Sequence, residues 1–442
     1  MLINDLRSFC ENSCSCGKNH ELIINDILLE KGAIFSLPKK VLSFGAKKAF
    51  IIMDSKTLKV AGQSAVELLI ENSVETIKFV YENQNLEPDD EALKILYNAF
   101  DKSCDIVIGV GSGVINDLGK MLAYKENKPY IIVATAPSMD GYASASSSMI
   151  LKGLKVSVNS KCADVIIGDI DILRNAPLEM LKAGIGDMLA KYVSLAEWKI
   201  ASEIRGEYYC PRVASLMREA LKKCVDNASE LLNRNEEAVK SVFEGLIIGG
   251  LAMAFAGVSR PASGVEHYLS HVWDMRGLEF GTKVNFHGIQ CAVGTFIAVK
   301  LYEKLLKITP SKEKALKYVK EFNYDDWATT LKEFLGKSSI SMIELEKKEE
   351  KYSVQKHAKR LEIIFQKWDV ICQIIKEEIP SVQEFSTLLD LIKLPKSCLD
   401  MGLECDQKLS FKATKDIRDK YVLSFLLWDL GLLDQVLEEQ FS

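Results

Sequence analysis

The stretch that decides the fold is CDIVIGVGSGVINDLGK, residues 104–120. It begins with an apolar, β-branched run, passes through a glycine-rich turn with Gly109, Gly111 and Gly113, and continues into a helical pattern. A strand, a glycine turn and a helix in this order are typical of a parallel sheet covered by helices.

The chain on either side repeats this alternation from Lys48 to about Gly168. AFIIMD (49–54) and TIKFVY (76–81) predict earlier strands, each followed by a helical pattern, and PYIIVA (129–134) predicts a later strand. Beyond Gly168 the pattern is that of amphipathic helices. We therefore expect a Rossmann-like α/β domain over 1–175 and an all-helical domain over 176–442.

Composition limits the class of partner. The chain has 442 residues, of which 48% are hydrophobic and 26% charged, and its net charge is -5. This acidic balance and the absence of a basic arm argue against nucleic-acid binding and favour a small-molecule partner. Residues 1–13 lack the apolar core of a signal peptide, and the most apolar run, 245–258, is too short to cross a bilayer. With eleven scattered cysteines, we expect a cytoplasmic chain without disulfides.

Residues directly after the predicted strands are the candidates for ligand binding, because ligands of such sheets bind beyond the C-terminal strand ends. Asp54 follows the strand 49–54, where its carboxylate either binds ribose hydroxyls of NAD or caps the next helix. The turn Gly109–Asp117 offers backbone N–H groups to a pyrophosphate, although it lacks the GxGxxG spacing. Asp54 is therefore either a cofactor ligand or a helix cap, and the glycine turn is either a pyrophosphate site or purely structural.

The segment 135–147 consists almost entirely of small or polar residues. Thr135, Ser138 and Ser144 offer hydroxyls to a cofactor or phosphate, and Asp140 offers a carboxylate to a substrate hydroxyl. A flexible surface loop is the alternative, but Met139 and Tyr142 within the segment argue against it. We expect this segment to wrap a ligand.

Three of the five histidines lie in the stretch 259–288. His267 and His271 are four residues apart, which on a helix places them on one face, and His287 begins a further helical pattern. The HxxxH pair alone is a weak metal signal, and polar residues on helix surfaces are the alternative. A carboxylate from elsewhere in the chain would complete a metal site.

Three further features carry weaker signals. Asp187 follows a glycine turn at 184–186 and is expected at a helix start, where capping is the default role. Cys14, Cys16 and His20 are either the beginning of a second metal site or part of a polar loop. The charged stretch 345–360 predicts a solvated helix face.

Five motifs, read together, resemble the glycerol-1-phosphate dehydrogenases. This family belongs to the superfamily of iron-type alcohol dehydrogenases, glycerol dehydrogenases and dehydroquinate synthases. The resemblance runs from about residue 14 to the C-terminus, and the distance between His271 and His287 is similar to that of the bacterial branch. The motifs are GVGSGVINDLGK (109–120), TAPSMDGYAS (135–144), GIGDMLAK (184–191), SRPASGVEHYLSH (259–271) and HGIQCAVGT (287–295).

The resemblance implies a dehydroquinate synthase-like architecture with an NAD(P)-binding α/β domain and a helical domain. It assigns the divalent metal to Asp187, His267 and His287. It assigns substrate contact and catalysis to Asp140, Asp187 and His271. It assigns the dinucleotide to residues of the strand ends and loops, namely Asp54, Gly113, Val114, Ile115, Asn116, Asp117, Thr135, Ala136, Pro137, Ser138 and Ser144.

The implied reaction is the reduction of dihydroxyacetone phosphate to sn-glycerol 1-phosphate with NAD(H), or with NADP(H) as the second candidate. One divalent ion is implied, with zinc or nickel first and iron or manganese as alternatives. A homodimer is expected. Many glycerol dehydrogenases have glutamate where this chain has Ile289, so a proton relay through that glutamate is excluded. Another polyol dehydrogenase, a dehydroquinate synthase-like cyclase and a non-catalytic binding module remain the alternatives.

Overall fold

The computed structural model describes residues 2–11, 13–83 and 85–441, which form two compact units. The first comprises 1–188 and 211–258, and the second comprises 189–210 and 259–442. The strands are β1 Asp26–Glu30, β2 Lys48–Asp54, β3 Glu75–Tyr81, β4 Ile106–Gly111, β5 Tyr130–Ala134, β6 Ser146–Leu151, β7 Leu154–Asn159 and β8 Val165–Asp169.

The helices up to residue 256 are α1 Leu2–Glu11, α2 Leu37–Ser43, α3 Ser55–Thr57, α4 Gln63–Glu71, α5 Asp90–Ala99, α6 Gly113–Glu126, α7 Ile170–Leu173, α8 Leu178–Leu189, α9 Lys191–Arg205, α10 Pro211–Asp226 and α11 Glu236–Ala256. The later helices are α12 Val265–Phe280, α13 His287–Leu305, α14 Lys312–Lys320, α15 Tyr324–Leu335, α16 Ser339–Glu349, α17 Val354–Gln366, α18 Trp368–Glu378, α19 Val382–Leu391, α20 Gln407–Thr414, α21 Leu423–Asp429 and α22 Leu433–Phe441.

The first unit is built on a parallel sheet with the strand order β1-β8-β5-β4-β2-β3. Every strand pair in it is parallel, with Ile52 opposite Gly109 and Gly109 opposite Ile132. The strands are rich in Ile and Val because helices cover a parallel sheet. Ile51, Ile108 and Ile131 are fully buried in the core. The predicted α/β sheet followed by helices is confirmed, while β1 and β8 extend it beyond the strands recognised in the sequence.

The order of the strands defines where a ligand would enter the first unit. From β2 the chain moves outward to β3 and then returns to the other side of β2 to form β4. The connections therefore leave β2 and β4 in opposite directions, which creates a crevice at their C-terminal ends. Asp54 ends β2, and Gly111 ends β4. Two of the predicted cofactor segments thus flank the switch point of the sheet.

The segment 135–147 is more ordered than a loop. Asp140–Ala143 forms a 3-10 turn, and Ser146 already belongs to β6, which pairs with β7 in an antiparallel hairpin. Tyr142 is fully buried and donates a hydrogen bond to the carbonyl oxygen of Ala136. The alternative of a flexible surface loop is therefore wrong for 135–144. The hairpin was missed because its first strand begins with three serines, residues 146–148.

Most of the apolar run at 245–258 belongs to the longer helix α11, which has 21 residues and ends at Ala256. By length and hydropathy this helix could span a membrane, so the prediction that the apolar segment is too short to cross a bilayer was wrong. However, 78% of its most apolar window is buried within the fold. Gly249 and Gly250 face the turn at Asp140, and a Cβ on Gly250 would lie 2.8 Å from the carbonyl oxygen of Asp140. The helix packs as an internal element of the first unit, as its glycines predict.

The second unit is helical in its described residues. Helices α12 and α13 pack closely, since a Cβ on Gly294 would lie 2.8 Å from the carbonyl oxygen of Glu266. The charged stretch 345–360 is not simply a solvated face. His357 within it is fully buried and its Nε2 lies 2.8 Å from the carbonyl oxygen of Asp429. Glu346, Lys351 and Tyr352 in the same stretch are buried as well, and the many charged residues of the stretch hide this burial in the sequence.

Candidate active site

The N-terminus of α6 lies directly beyond β4. Its N-cap is Ser112, whose side chain makes no capping hydrogen bond, and Gly113 and Val114 begin the helix. A Cβ on Gly111 would lie 2.5 Å from the Cβ of Ile115, so glycine is needed for the helix to leave the strand so sharply. The first N–H groups of such a helix and the positive end of its dipole suit a pyrophosphate.

Lys120, which the sequence analysis did not single out, ties α6 to the polar segment. Its fully buried ammonium group lies 3.1 Å from Oδ1 of Asp117 and donates to the carbonyl oxygens of Gly141 and Ser146. Burial raises the pKa of Asp117, while the charge of Lys120 opposes that shift. A buried lysine inside a helical pattern is indistinguishable from a surface lysine in the sequence, although this one fixes the loop.

The predicted hydroxyl donors lie in this fixed loop. Thr135 and Ser138 are buried, and the backbone N–H of Thr135 donates to the carbonyl oxygen of Gly111. The hydroxyl of Ser144 donates to the carbonyl oxygen of Ser146, so its main contact is structural. Asn116 donates from its amide to the carbonyl oxygen of Gly141. Of the predicted cofactor residues, Asn116, Asp117 and Ser144 therefore also hold the loop.

Asp54 acts as a helix N-cap. Its Oδ1 accepts hydrogen bonds from the backbone N–H groups of Lys56 and Thr57, each at 2.8 Å, and Thr57 Oγ1 accepts from the N–H of Asp54. This is the capping box of α3. The capping alternative is therefore present in the structure, and a role toward ribose would be additional to it.

Asp187 does not begin a helix. It lies in the last turn of α8, so the expected helix start was wrong. Gly184 serves close packing instead of a turn, because a Cβ on it would lie 1.9 Å from the carbonyl oxygen of Pro137. Oδ2 of Asp187 accepts the backbone N–H of Asp140 at 3.0 Å. The two predicted carboxylates of the first unit are thus neighbours, and Asp187 is fully buried.

The second unit brings the three predicted histidines together. His267 and His271 lie on α12, and His287 is the first residue of α13, as predicted. The ring centroids of His267 and His287 are 5.0 Å apart, and those of His271 and His287 are 6.2 Å apart. His267 is 5% exposed. The close crossing at Gly294 is what lets the two helices present their imidazoles to one another.

Neighbouring side chains orient two of these rings. Nδ1 of His267 lies 2.8 Å from Oε1 of Glu266, and Nδ1 of His287 lies 3.1 Å from Oγ of Ser270. A carboxylate accepts hydrogen bonds, so the proton of neutral His267 lies on Nδ1 and the lone pair on Nε2. Metal-binding histidines are held in this way by an outer partner. The pair therefore fits a metal ion.

Cys291 lies one helical turn after His287, with its Sγ 3.6 Å from Nε2 of His287. The ligand atoms of His267, His287 and Cys291 all lie within 4.8 Å of one another. This thiol was not among the predicted ligands, although the spacing HxxxC is present in HGIQC. It is a further candidate ligand of an ion held by the two imidazoles.

Beneath His267 lies a pair of buried carboxyl groups, Glu197 and Glu266. Glu197 accepts the backbone N–H groups of Val265 and Leu423, and Oε1 of Glu266 accepts the N–H of Gly264. Burial, and then the charge of Glu266, raise the pKa of Glu197 to about 8. Burial disfavours the ionised form of a carboxyl group, and a second carboxylate nearby disfavours it further. Glu197 is therefore mostly protonated near neutral pH.

Comparison with known proteins identifies the family. The chain is 34% identical over 296 residues to the glycerol-1-phosphate dehydrogenase [NAD(P)+] of Halalkalibacterium halodurans, covering 66% of this chain and 74% of that protein. It is 35% identical over 312 residues to the protein of the same name from Bacillus licheniformis, covering 69% and 78%. The chain belongs to the glycerol-1-phosphate dehydrogenase family. This family consists of oxidoreductases, and the resemblance drawn from the five motifs is confirmed.

The wider superfamily is visible in a sequence profile and in a solved structure. The profile of the iron-containing alcohol dehydrogenases matches residues 28–177. A probable glycerol dehydrogenase from Sinorhizobium meliloti has a similar fold, with a TM-score of 0.59 at 16% identity, covering 94% of this chain and 98% of that one. This glycerol-1-phosphate dehydrogenase family member therefore shares its fold with that probable glycerol dehydrogenase.

Proposed function

We propose that the chain catalyses the NAD(P)H-dependent, metal-dependent reduction of dihydroxyacetone phosphate to sn-glycerol 1-phosphate. The main support for the proposal is the pair of His267 and His287, whose rings are oriented by hydrogen bonds. In the same chain, a glycine turn and a loop with buried hydroxyl groups lie at the switch point of the sheet. The relatives named glycerol-1-phosphate dehydrogenase [NAD(P)+] support the choice of reaction and of a nicotinamide cofactor. A cytoplasmic setting remains a prediction from the sequence.

The dinucleotide is proposed to bind at the crevice beyond β2 and β4. The N-terminal turn of α6, 113–117, would receive the pyrophosphate, and the loop 135–138 with Ser144 would line the remainder. Asp54 would accept hydrogen bonds from ribose hydroxyls and repel a 2'-phosphate, which favours NADH over NADPH. The loop is already held by Lys120, so little ordering is required when the cofactor binds.

The metal is proposed to be held by Asp187, His267 and His287, which is the ligand set that the family resemblance implies. Two imidazoles and one carboxylate suit a borderline divalent ion such as zinc or nickel, with iron as an alternative. When bound, the ion supplies Lewis-acid polarisation of a carbonyl group, and the nicotinamide supplies the hydride. Glu266 fixes the tautomer of His267, and Ser270 holds His287.

His271 and Asp140 are proposed to handle the substrate. His271 lies one helical turn from His267 and is half-buried, so it can donate a hydrogen bond to the substrate or deliver a proton to its oxygen. Asp140 is held through its backbone by Asp187 and offers its carboxylate to a substrate hydroxyl. A homodimer remains a prediction from the resemblance.

The test compares dihydroxyacetone phosphate with dihydroxyacetone as oxidants of NADH. We expect rapid oxidation with the phosphorylated substrate and a much lower kcat/KM without the phosphate. Equal values would contradict the phosphate specificity and favour another polyol dehydrogenase of the superfamily. No oxidation with either compound, in protein loaded with divalent metal, would contradict the proposed reaction altogether.

A further inference from the structure

Three side chains that commonly bind metal lie close together near the start of the chain, outside the residues proposed for catalysis. The ligand atoms of Cys14, Cys16 and His20 all lie within 4.8 Å of one another. Sγ of Cys16 is 3.5 Å from Nε2 of His20. Two ligands of one tetrahedral zinc ion, at ordinary Zn–S and Zn–N bond lengths, are separated by about 3.5 Å. The observed separation is that of two ligands of a shared ion.

The backbone between the two cysteines is shaped to bring their thiols together. The N–H of Gly17 donates to the carbonyl oxygen of Cys14 at 3.3 Å, closing a turn over 14–17. Gly17 has a φ of +79°, in the left-handed region that glycine adopts without strain. Both thiols are half-buried. The turn gives Cys14 and Cys16 the short spacing of a chelating pair.

The imidazole of His20 is held in the orientation that a ligand needs. Its Nδ1 lies 3.1 Å from the carbonyl oxygen of Phe255, which only accepts, so Nδ1 carries the proton and Nε2 directs its lone pair toward Cys16. The ring is 5% exposed and packs against both Phe9 and Phe255, each at a centroid distance of 5.7 Å. A backbone carbonyl as the outer partner is the usual arrangement for a metal-binding histidine.

We propose that Cys14, Cys16 and His20 bind one divalent ion of the zinc class, with a structural role. Two thiolates and one imidazole are soft and borderline ligands that select zinc, and a tetrahedral ion has a fourth position for a further side chain or water. The site differs from the proposed catalytic one in its thiolates and in lacking any proposed substrate contact.

The ion would fasten the segment 13–25 to the end of α11. This segment has no helix or strand of its own. It reaches the last carbonyl groups of α11 through His20 and through Lys18, whose Nζ donates to the carbonyl oxygen of Ala256 at 2.8 Å. Those carbonyls have no partner within the helix, and basic groups stabilise that end. Metal binding adds to folding free energy where it closes such a segment.

The first experiment measures thiol protection in the full-length wild-type protein. The protein is reduced, and each cysteine's alkylation rate is followed by mass spectrometry with one equivalent of zinc or with chelator. Cys14 and Cys16 should react much more slowly with zinc. Cys10, four residues before Cys14, is the internal control, since burial raises the pKa of its thiol and its rate should not respond to metal. Equal rates for Cys14 and Cys16 in both conditions would overturn the proposal.

The second experiment counts metal. The double variant Cys14→Ser/Cys16→Ser, loaded with zinc and desalted, should hold one equivalent less than wild type, while Cys10→Ser should hold the wild-type amount. With cobalt as the probe, the thiolate charge-transfer absorption should be clearly weaker in the double variant than in wild type and Cys10→Ser, because Cys291 beside His287 is then the remaining candidate thiolate. If the double variant has the metal content and absorption of wild type, the contact between Cys16 and His20 is only a thiol–imidazole hydrogen bond. That result would overturn the proposed site. If the double variant does not fold, the protection measurement on wild type decides alone.

Discussion

Gly184 lies so close to Pro137 that a Cβ on it would be 1.9 Å from the proline's carbonyl oxygen. A backbone atom cannot yield as a flexible side chain can, so Gly184→Ala must displace either α8 or the loop 135–138. We expect an overpacking loss of about 1–3 kcal/mol in the free energy of unfolding. The KM for NADH should rise as well, because the displaced loop is proposed to line the cofactor site.

The matched control is Gly113→Ala, whose new Cβ would have the flexible side chain of Met139 as its nearest neighbour, at 3.5 Å. This variant should keep wild-type stability in urea unfolding. If both variants unfold at the same urea concentration as wild type, the close approach of Gly184 to Pro137 does not constrain the loop.

Asp54 is predicted to contribute to both stability and cofactor choice. Asp54→Ala should lose about 1 kcal/mol, because the capping hydrogen bonds to Lys56 and Thr57 are removed. Asp54→Ser keeps a capping oxygen but removes the charge, so it should retain most of the stability while narrowing the preference for NADH over NADPH. The measurements are urea unfolding and kcat/KM with each cofactor. A wild-type protein that uses NADPH as well as NADH would show that Asp54 only caps the helix.

The histidines should separate into ligands and a proton-handling residue. His267→Ala and His287→Ala should lose bound metal, whereas His271→Ala should keep it and lose about a hundredfold to ten-thousandfold in turnover. Metal analysis of the purified variants, alongside kcat, checks this assignment. Metal loss in His271→Ala with retention in His287→Ala would reverse the two roles. Cys291→Ser tests whether the thiol beside His287 is also a ligand, which lost metal would show.

Glu197 should make the stability of the fold depend on pH. Its pKa rises from an ordinary value of 4.5 to about 8, so between these values the folded chain holds a proton that the unfolded chain has released. The stabilisation is therefore complete below 4.5 and is lost as pH rises through 8, by at most about 1.4 kcal/mol per pH unit.

Glu197→Gln stays neutral at every pH and should flatten this part of the profile. The check is the difference between the wild-type and variant free energies of unfolding, measured by urea denaturation across the same window. A constant difference over that window would show that Glu197 is ionised in the folded chain.

Much of the fold could be predicted because its signals are local. The apolar runs at 49–54 and 104–110 and the glycine turn after the latter report a buried parallel strand and a tight exit into a helix. Asp187 was misplaced because glycines predict a turn from sequence alone. Here Gly184 is required by the backbone of Pro137, a contact between residues 47 positions apart that no local pattern contains.

Site residues could be predicted where reactive residue types cluster in the sequence. They could not be predicted where their role depends on burial. His267, His271 and His287 are rare residues in a short stretch, and their spacing showed which of them share a helix. Lys120 was missed because lysine is usually exposed, and only the folded chain shows its ammonium group enclosed. Glu197 and Glu266 are 69 residues apart in sequence, so their pairing became visible only in the structure.

The stereochemistry of the product shows whether this chain makes sn-glycerol 1-phosphate. Dihydroxyacetone phosphate is reduced with excess NADH by the metal-loaded protein, and the product is assigned with enantiomer-specific analysis of glycerol phosphate. We expect the sn-1 enantiomer alone. Product formation should be lost after chelation and restored by a divalent ion. Formation of the sn-3 enantiomer or of a racemic product would contradict this expectation.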